Sequence, residues 1–310
     1  PAPAPAPAPA PAARDAALSG GLEIRDHMSA PVADVPDPTA RVLVMGVVNV
    51  TPDSFSDGGR FFRTDVAVAH GLQLLRDGAD IVDVGGEATH PRATPITADE
   101  ELRRALPVVE RLAAAGAVVS IDTTKASVAR AAVAAGARII NDVSGGLFDP
   151  DMADAIGEAT YIAGHLRGRS LTEVFSAEAR GCSAWRDAPL DWRTVAGELA
   201  DRLAALPAAA RRRAWVDPGL GFGKGADPEV NLALLRHSGE LGARVGRPVV
   251  VGPSRKRFVR RAFGVRDDDL AALDAASVTA SLDGIAGGAN VVRVHNVALL
   301  RAAIALYTKE

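Results

Sequence analysis

The chain alternates eight times between a short apolar segment and a segment of helical period, and this repetition constrains the fold more than any other feature. The apolar segments are rich in Val and Ile and lack strict apolar–polar alternation, which is typical of parallel strands buried on both faces. They lie at 42–48, 81–84, 117–121, 138–140, 161–163, 214–216, 248–251 and 290–294. The predicted helices lie at roughly 65–78, 98–115, 126–136, 150–157, 190–206, 228–237, 271–286 and 297–307.

Eight strand–helix units predict an α/β fold, a (β/α)8 TIM barrel, over residues 39–310 as a single domain. A doubly wound open sheet is the alternative. It usually has fewer strands, and no Gly-x-Gly-x-x-Gly turn follows the first strand here. The segment 164–189 is rich in Gly and has weak periodicity. We therefore expect it to be a loop over the mouth of the barrel.

The N-terminal segment has a different composition from the rest of the chain. Residues 1–12 alternate Pro and Ala, and Gly, Ser, Asp and Pro continue through Pro38. Such a segment favours extended, polyproline-like conformations and has little apolar surface to bury. We predict that residues 1–38 form a disordered tail or linker.

Composition and charge exclude several classes of protein. The formal net charge of −3 and the pI near 6.1 argue against a nucleic-acid-binding protein, which needs a strongly basic face. No apolar stretch approaches the roughly 18 residues of a membrane span, and we see no signal peptide. Cys182 is the single cysteine, so no disulfide can form within the chain. This fits a reducing compartment, and we expect a cytoplasmic protein.

Polar residues follow every predicted strand. In a barrel, these strand ends converge on one face, where active sites lie. Helix capping explains a single Asp at such a place, but not the Lys, Arg and His found at several strand ends. The polar segments are 49–59, 83–87, 120–123, 141–142, 165–168, 217–224, 252–256 and 293–296.

Four of these residues, Asp122, Asn141, Asp217 and Lys256, form a mixed set of acceptors and donors. A flat heterocycle with an aminopyrimidinone edge needs such a set, because a carboxylate can accept two N–H bonds while an amide and an ammonium satisfy the ring nitrogen and carbonyl. A Schiff-base role for Lys256 competes with this interpretation. It is less favoured, because Arg255 is adjacent and we expect no apolar surroundings for Lys256.

Arg293 and His295 are two residues apart on a predicted strand, so their side chains point the same way and can hold an anion. A core histidine beside a surface arginine is the alternative. Asn49, at the end of the first strand, offers a neutral oxygen to a hydrated Mg²⁺. The glycine-rich segment 217–225 allows close approach of the backbone to a ligand, and Phe222 offers a ring for stacking. The alternative there is an ordinary βα turn.

Together these motifs resemble those of the dihydropteroate synthase family of folate biosynthesis. The resemblance covers about 41–306 and rests on the ordered segments 49–59, 83–87, 120–123, 141–145, 217–224, 254–256 and 293–295. It implies a TIM barrel that joins 4-aminobenzoate to a dihydropterin carrying a methylene pyrophosphate, with release of pyrophosphate. It also implies Mg²⁺ as cofactor, sulfonamides as inhibitors and a homodimer.

The resemblance also assigns roles to individual residues. The residues implied in catalysis are Asp122, Asp217, Lys256, Arg293 and His295. Those implied in pterin binding are Asp122, Asn141, Asp217, Phe222, Gly252 and Lys256. Those implied in pyrophosphate binding are Asn49, His90, Arg293 and His295, with Asn49 also at the metal. Those implied in 4-aminobenzoate binding are Thr89, Pro91, Ser254 and Lys256, and two loops at roughly 50–63 and 86–96 are implied to close over the site.

Three positions depart from the family pattern. The family usually has Arg at the position of His90, Met at Gly164 and Asp at Asn296. His90 motivates one alternative, a paralogue that binds pterin without turnover. A second alternative is a pterin-dependent barrel that delivers a methyl group to a corrinoid protein. Such a barrel shares the Asp and Asn contacts to pterin, but it needs neither the 49–59 loop nor the Arg293–His295 pair.

Overall fold

Eight parallel strands form the centre of the molecule. The computed structural model describes residues 33–51, 60–90, 93–180, 190–225 and 227–307. The strands are β1 (Leu43–Asn49), β2 (Ile81–Gly85), β3 (Val119–Asp122), β4 (Ile139–Asp142), β5 (Thr160–Gly164), β6 (Ala214–Asp217), β7 (Val250–Val251) and β8 (Val291–Val294). Each corresponds to one of the eight predicted apolar segments, with small differences at the ends.

The strands close into a barrel. Their order is β6-β5-β4-β3-β2-β1-β8-β7, and every pairing is parallel. The two outer strands meet through a parallel bridge between Val216 and Val249, and the Val216 N–H donates to the carbonyl oxygen of Pro248 at 2.9 Å. The (β/α)8 prediction is therefore confirmed, and the open-sheet alternative is excluded.

Helices surround the barrel. The described ones are α1 (Arg60–Arg76), α2 (Ala98–Ala114), α3 (Ala126–Ala134), α4 (Met152–Ala155), α5 (Leu171–Arg180), α6 (Trp192–Ala204), α7 (Ala208–Arg212), α8 (Pro228–Arg236), α9 (Ser238–Val245), α10 (Arg257–Ala262), α11 (Leu270–Ala286) and α12 (Val297–Tyr307). None of the helices in the described ranges is long and apolar enough to cross a membrane.

The prediction of a loop over 164–189 was wrong for α5. Ser170 caps this helix by accepting the Glu173 N–H at 3.2 Å. Leu171, Val174 and Phe175 follow at helical spacing, and Val174 is fully buried. The apolar face is short, which explains why the periodicity appeared weak. Residues 181–189 lie outside the described ranges.

The inward-facing side chains change from apolar to polar along each strand. A lower apolar layer inside the barrel includes Ile81, Ile139, Trp215 and Val291, all nearly or fully buried. Because side chains on a strand alternate, the next inward-facing residue on each of these strands lies two positions on. These residues are Asp83, Asn141, Asp217 and Arg293. The apolar layer thus supports a polar layer at the carboxyl ends of the strands.

Part of the predicted tail lies against the barrel. Residues 33–38 are described, and Ala33 and Val35 pack against the lower apolar layer. Residues 1–32 lie outside the described ranges, and their disorder remains a prediction.

Candidate active site

A cavity of about 410 Å³ opens at the carboxyl ends of the strands, and we call it the mouth cavity. Its lining includes nearly every residue that the sequence nominated: Asn49, Thr89, His90, Asp122, Asn141, Asp217, Phe222, Gly252, Ser254, Lys256, Arg293 and His295. Pro91 lies outside the described residues, as do residues 52–59 of the first of the two predicted closing loops. Residues from seven strand ends and their loops, all but that of β5, therefore meet in one space.

The floor of the mouth cavity is an ion-pair network centred on Arg293. Its Nε donates to Asp83 Oδ2 at 2.6 Å, and its Nη2 donates to Asp122 Oδ2 at 2.7 Å. Asn141 Nδ2 donates to the same Asp83 oxygen at 3.0 Å. Burial lowers the pKa of Arg293, but the charges of Asp83 and Asp122 outweigh burial and hold the pKa above its usual value. Arg293 is therefore a permanent cation within the floor.

Asp83 is one of the site residues that sequence reasoning missed. It appeared within a motif, but no role was assigned to it. Its side chain is fully buried, and within the described residues its Oδ1 has no hydrogen-bond partner. The available signal was spacing, because Asp83 lies two residues after Ile81 and so faces inward. This network also changes the expectation for Arg293, since two of its three nitrogens are engaged by carboxylates.

Asp122 is held in an unusual electrostatic environment. Burial raises its pKa well above the usual value, and the nearby Asp83 charge raises it further, while Arg293 opposes both. A carboxylate in such a place gains from any positive charge that approaches it. The floor is therefore prepared to stabilise a cation.

Lys256 lies over the ring of Phe222, with its Nζ 4.7 Å from the ring centre. Nζ also donates to the carbonyl oxygen of Leu220 at 2.6 Å. Burial lowers the pKa of Lys256 to about 8, with a smaller effect of Arg293 in the same direction. The expectation that Lys256 lacks apolar surroundings was wrong, since its ammonium lies against the Phe222 ring. The position of Phe222 depends on the conformation of its loop, which residue types alone do not reveal.

The glycine-rich segment adopts the conformation that glycine allows. Gly219 and Gly221 have φ angles of 69° and 77°. A Cβ at residue 219 would collide with the carbonyl oxygen of His165. The Gly219 N–H donates to Asp217 Oδ1 at 2.7 Å. The segment thus fixes Asp217 and presents Phe222 to the mouth cavity, which favours the ligand interpretation over an ordinary turn.

A buried chain of hydrogen bonds supports this segment from behind. Lys224 Nζ lies 3.0 Å from His165 Nδ1 and donates to the carbonyl oxygen of Phe222 at 3.2 Å. His165 Nε2 lies 2.9 Å from Glu198 Oε2. Burial lowers the pKa of His165 to about 3, and the charge of Lys224 adds to this effect. The neutral imidazole therefore accepts at Nδ1 from Lys224 and donates from Nε2 to Glu198.

His295 is also neutral. Ser254 Oγ accepts the backbone N–H of His295 at 3.2 Å and lies 2.9 Å from its Nδ1. The hydroxyl hydrogen is then available to Nδ1, which leaves the ring proton on Nε2. Burial lowers the pKa of His295 to about 3, and the charges of Arg255 and Arg293 add to this effect. His295 can therefore offer an N–H to an anion, but no charge of its own.

Lys125 anchors the start of the second predicted closing loop, at roughly 86–96. Its Nζ donates to Glu87 Oε2 and to Glu101 Oε2, each at 2.6 Å. Glu87 Oε1 accepts the Ile96 N–H at 2.9 Å, which joins the two ends of the loop. Thr89 and His90, between these ends, line the mouth cavity.

Comparison with known proteins gives a consistent result. The chain matches the family model of pterin binding enzymes over residues 45–295. A dihydropteroate synthase of Mycobacterium leprae is 44% identical over 269 residues, which cover 83% of this chain and 89% of the relative. That of Bacillus subtilis is 37% identical over 265 residues, which cover 83% of this chain and 84% of the relative.

Solved structures agree with the sequence relatives. Xanthomonas albilineans dihydropteroate synthase with 4-aminobenzoic acid superposes with a TM-score of 0.75 at 40% identity, covering 87% of this chain and 93% of that one. The same enzyme in complex with 7,8-dihydropteroate gives a TM-score of 0.70 at 39% identity, with the same coverage.

Proposed function

The chain belongs to the family of pterin-binding enzymes and is a dihydropteroate synthase, and we propose that its condensation reaction takes place in the mouth cavity. The substrates are 6-hydroxymethyl-7,8-dihydropterin pyrophosphate and 4-aminobenzoate, and the products are 7,8-dihydropteroate and pyrophosphate. The observation that carries the proposal is the meeting of Asp122, Asn141, Asp217 and Lys256 in one cavity.

The pterin ring is the ligand that this donor and acceptor set suits. Asp122 and Asp217 supply carboxylate acceptors for its amine and ring N–H groups. Asn141 already donates one Nδ2 hydrogen to Asp83, which orients the amide and leaves its carbonyl oxygen for the ring. Phe222 supplies an apolar face, Gly252 leaves room beside the ring, and Lys256 can exchange the Leu220 carbonyl for a pterin acceptor.

The charge of the mouth cavity suits departure of pyrophosphate. As the bond between the methylene carbon and the pyrophosphate oxygen breaks, positive charge spreads into the pterin. Asp122 and Asp217 stabilise this charge, because fixed carboxylates in a desolvated site act strongly on a developing cation. Arg293, through its remaining nitrogen, and His295, through Nε2–H, then face the departing anion.

The amine of 4-aminobenzoate completes the reaction. Its nitrogen lone pair forms the new bond to the methylene carbon, and the nitrogen then loses a proton. An aniline nitrogen is neutral at pH 7, so it needs correct placement more than a strong base. We propose that Thr89, Pro91, Ser254 and Lys256 provide that placement, with His90 beside the pyrophosphate. Closure of the two loops would exclude competing water.

We propose Asn49 as the protein contact of Mg²⁺. Its amide offers a hard, neutral oxygen in the lining of the mouth cavity, and such a ligand fits an ion that keeps several waters and binds chiefly to substrate phosphates. When bound, Mg²⁺ would neutralise charge on the pyrophosphate. Sulfonamides, as analogues of 4-aminobenzoate, would compete at the same place.

We further propose a cytoplasmic homodimer. The support for a dimer is the exposure of large apolar side chains on α12, where Leu306 is 70% and Tyr307 49% exposed. Sedimentation equilibrium of the full chain tests this proposal, and a monomer at micromolar concentration would contradict it.

Release of pyrophosphate tests the proposed reaction. We expect release that requires both the dihydropterin pyrophosphate and 4-aminobenzoate, and that is inhibited by a sulfonamide. No release above background with pterin binding intact would instead support the alternative that His90 motivates, a paralogue that binds without turnover. Transfer of a folate methyl group to a corrinoid protein would support the second alternative.

A further inference from the structure

Arg255 has a strained backbone conformation beside the mouth cavity. Its φ angle is 58°, and it is the one residue other than glycine with positive φ in the described ranges. A side chain makes this left-handed conformation unfavourable, so it persists only where surrounding contacts hold it. Arg255 lies between Ser254 and Lys256, both of which line the cavity.

The contacts that hold Arg255 come mainly from helix α11. Its Nε donates to Asp274 Oδ1 at 2.7 Å and its Nη2 to Asp274 Oδ2 at 3.0 Å, a bidentate pair. Its backbone N–H donates to Ser277 Oγ at 2.9 Å. Asp274 and Ser277 are both buried, with 8% and 1% exposure. The arginine is thus held at its backbone and at its side chain by residues one helical turn apart.

Asp274 is itself fixed and charged. Asn296, which follows β8, donates from Nδ2 to Asp274 Oδ2 at 3.2 Å. Burial raises the pKa of Asp274, but the hydrogen bonds from Arg255 and Asn296 outweigh burial, so the net shift is downward. Asp274 therefore joins α11, the end of β8 and the turn after β7.

The strained backbone at Arg255 determines the directions of the side chains of Ser254 and Lys256. Ser254 Oγ reaches His295, and Lys256 Nζ reaches the Leu220 carbonyl in the loop after β6. Because φ at residue 255 sets the direction in which the chain leaves Ser254, relaxation to an ordinary conformation would move Lys256 relative to Ser254.

We propose that Asp274 is a positioning residue that holds Arg255 in its left-handed conformation and thereby orients the side chains of Ser254 and Lys256 toward 4-aminobenzoate. The inference rests on the proposed function in one respect, namely that Ser254 and Lys256 contact 4-aminobenzoate. Arg255 also lines the mouth cavity, so a direct contact of its guanidinium with substrate is the competing explanation.

The first experiment compares Asp274→Asn with Asp268→Asn in steady-state kinetics. Asp268 forms an exposed ion pair with Arg266 and serves as the matched control. We expect kcat/KM for 4-aminobenzoate to fall by roughly tenfold or more in Asp274→Asn, mainly through KM, because small misplacements of binding groups are costly. The control should match the parent protein. Thermal unfolding of each variant shows whether it is folded, and an unchanged KM in folded Asp274→Asn would overturn the inference.

The second experiment separates backbone positioning from direct contact. Arg255→Gly and Arg255→Ala both remove the guanidinium, but only glycine adopts the left-handed conformation without strain. We expect KM for 4-aminobenzoate in Arg255→Gly to stay within roughly threefold of the parent value, and Arg255→Ala to be as impaired as Asp274→Asn. Equal impairment of the two variants would overturn the inference and assign the effect to the guanidinium.

Ser254→Ala distinguishes failure of this inference from failure of the proposed site. A raised KM for 4-aminobenzoate in this variant supports the proposed contact of Ser254 with that substrate, and an unchanged KM contradicts the contact. The difference between the glycine and alanine variants decides the positioning role in either case, because Lys256 also follows the turn.

Discussion

Arg293, whose side chain is 20% exposed, and the fully buried Asp83 form an ion pair at the floor of the mouth cavity, with Arg293 Nε 2.6 Å from Asp83 Oδ2. The pair joins the end of β8 to the end of β2, two strands separated in the sheet by β1. Asp83 also receives a hydrogen bond from Asn141 on β4. One carboxylate thus orders two side chains that line the mouth cavity, although it is absent from the lining itself.

Loss of the Asp83 charge should destabilise the fold. Asp83→Asn leaves the largely buried Arg293 with Asp122 as its remaining carboxylate partner. Removing one member of such a pair is costly, so we expect a loss of about 2 kcal/mol or more in the free energy of unfolding. Urea denaturation measures the loss, with Asp268→Asn as the exposed control. A loss no greater than that of the control would show that Asp122 alone compensates Arg293.

Asp217→Asn should weaken pterin binding. The carboxylate is proposed to accept two N–H bonds from the ring, and loss of a charged acceptor costs about 2 kcal/mol or more. Titration calorimetry with 6-hydroxymethylpterin measures the affinity, and Asp268→Asn should bind as the parent does. Unchanged affinity in Asp217→Asn would mean that the pterin contacts are assigned to the wrong residues.

The barrel was accessible from sequence because its signal is local and repeated. A single segment can be weak, since β5 contains one Ile and β6 one Val, but eight apolar segments that alternate with helical ones leave few alternatives. The site residues followed because inward-facing positions at strand ends must converge. Asp83 could have been found by the same spacing rule, since it lies two residues after the inward-facing Ile81.

Long-range pairings were not accessible in this way. Nothing in the local sequence connects Arg255 with Asp274, which lies in the second turn of α11, where an acidic residue usually faces solvent. The left-handed backbone at Arg255 is equally hidden, since arginine has no preference for it. The desolvation of Lys256 depends on the position of Phe222, which is set by a glycine-rich loop. These features arise from tertiary packing, and the periodic pattern of apolar residues does not predict them.

Pterin affinity should fall at alkaline pH through Lys256. Burial lowers the pKa of its ammonium from 10.5 to about 8, so the positive charge is lost as the pH rises through about 8. Between about pH 8 and 10.5 the folded state binds fewer protons at Lys256 than the unfolded state does. The contribution of this group to the free energy of unfolding therefore rises with pH in that range, and Lys256 does not destabilise the protein. A fall in affinity would therefore reflect lost binding and not unfolding.

The matched variant for this pH dependence is Lys256→Arg. Arginine keeps its charge across the accessible range, so the fall in affinity near pH 8 should disappear, whatever the absolute affinity. Calorimetric titrations between pH 6.5 and about 9.5 measure both proteins, and any titration of the ligand itself is common to the two. Parallel pH profiles would show that Lys256 is not the titrating group.

His90→Arg should tighten the binding of pyrophosphate or 4-aminobenzoate. His90 lines the mouth cavity at the position where the family usually has an arginine, and both ligands are anions. A guanidinium is always charged and can bind an oxyanion through two N–H groups, so we expect an affinity gain of roughly threefold to tenfold. His237→Arg is the matched control, because His237 lies on the surface beside Glu240, between α8 and α9. Equilibrium binding of each ligand decides the outcome, and a gain equal to that of the control would leave His90 without a role in the site.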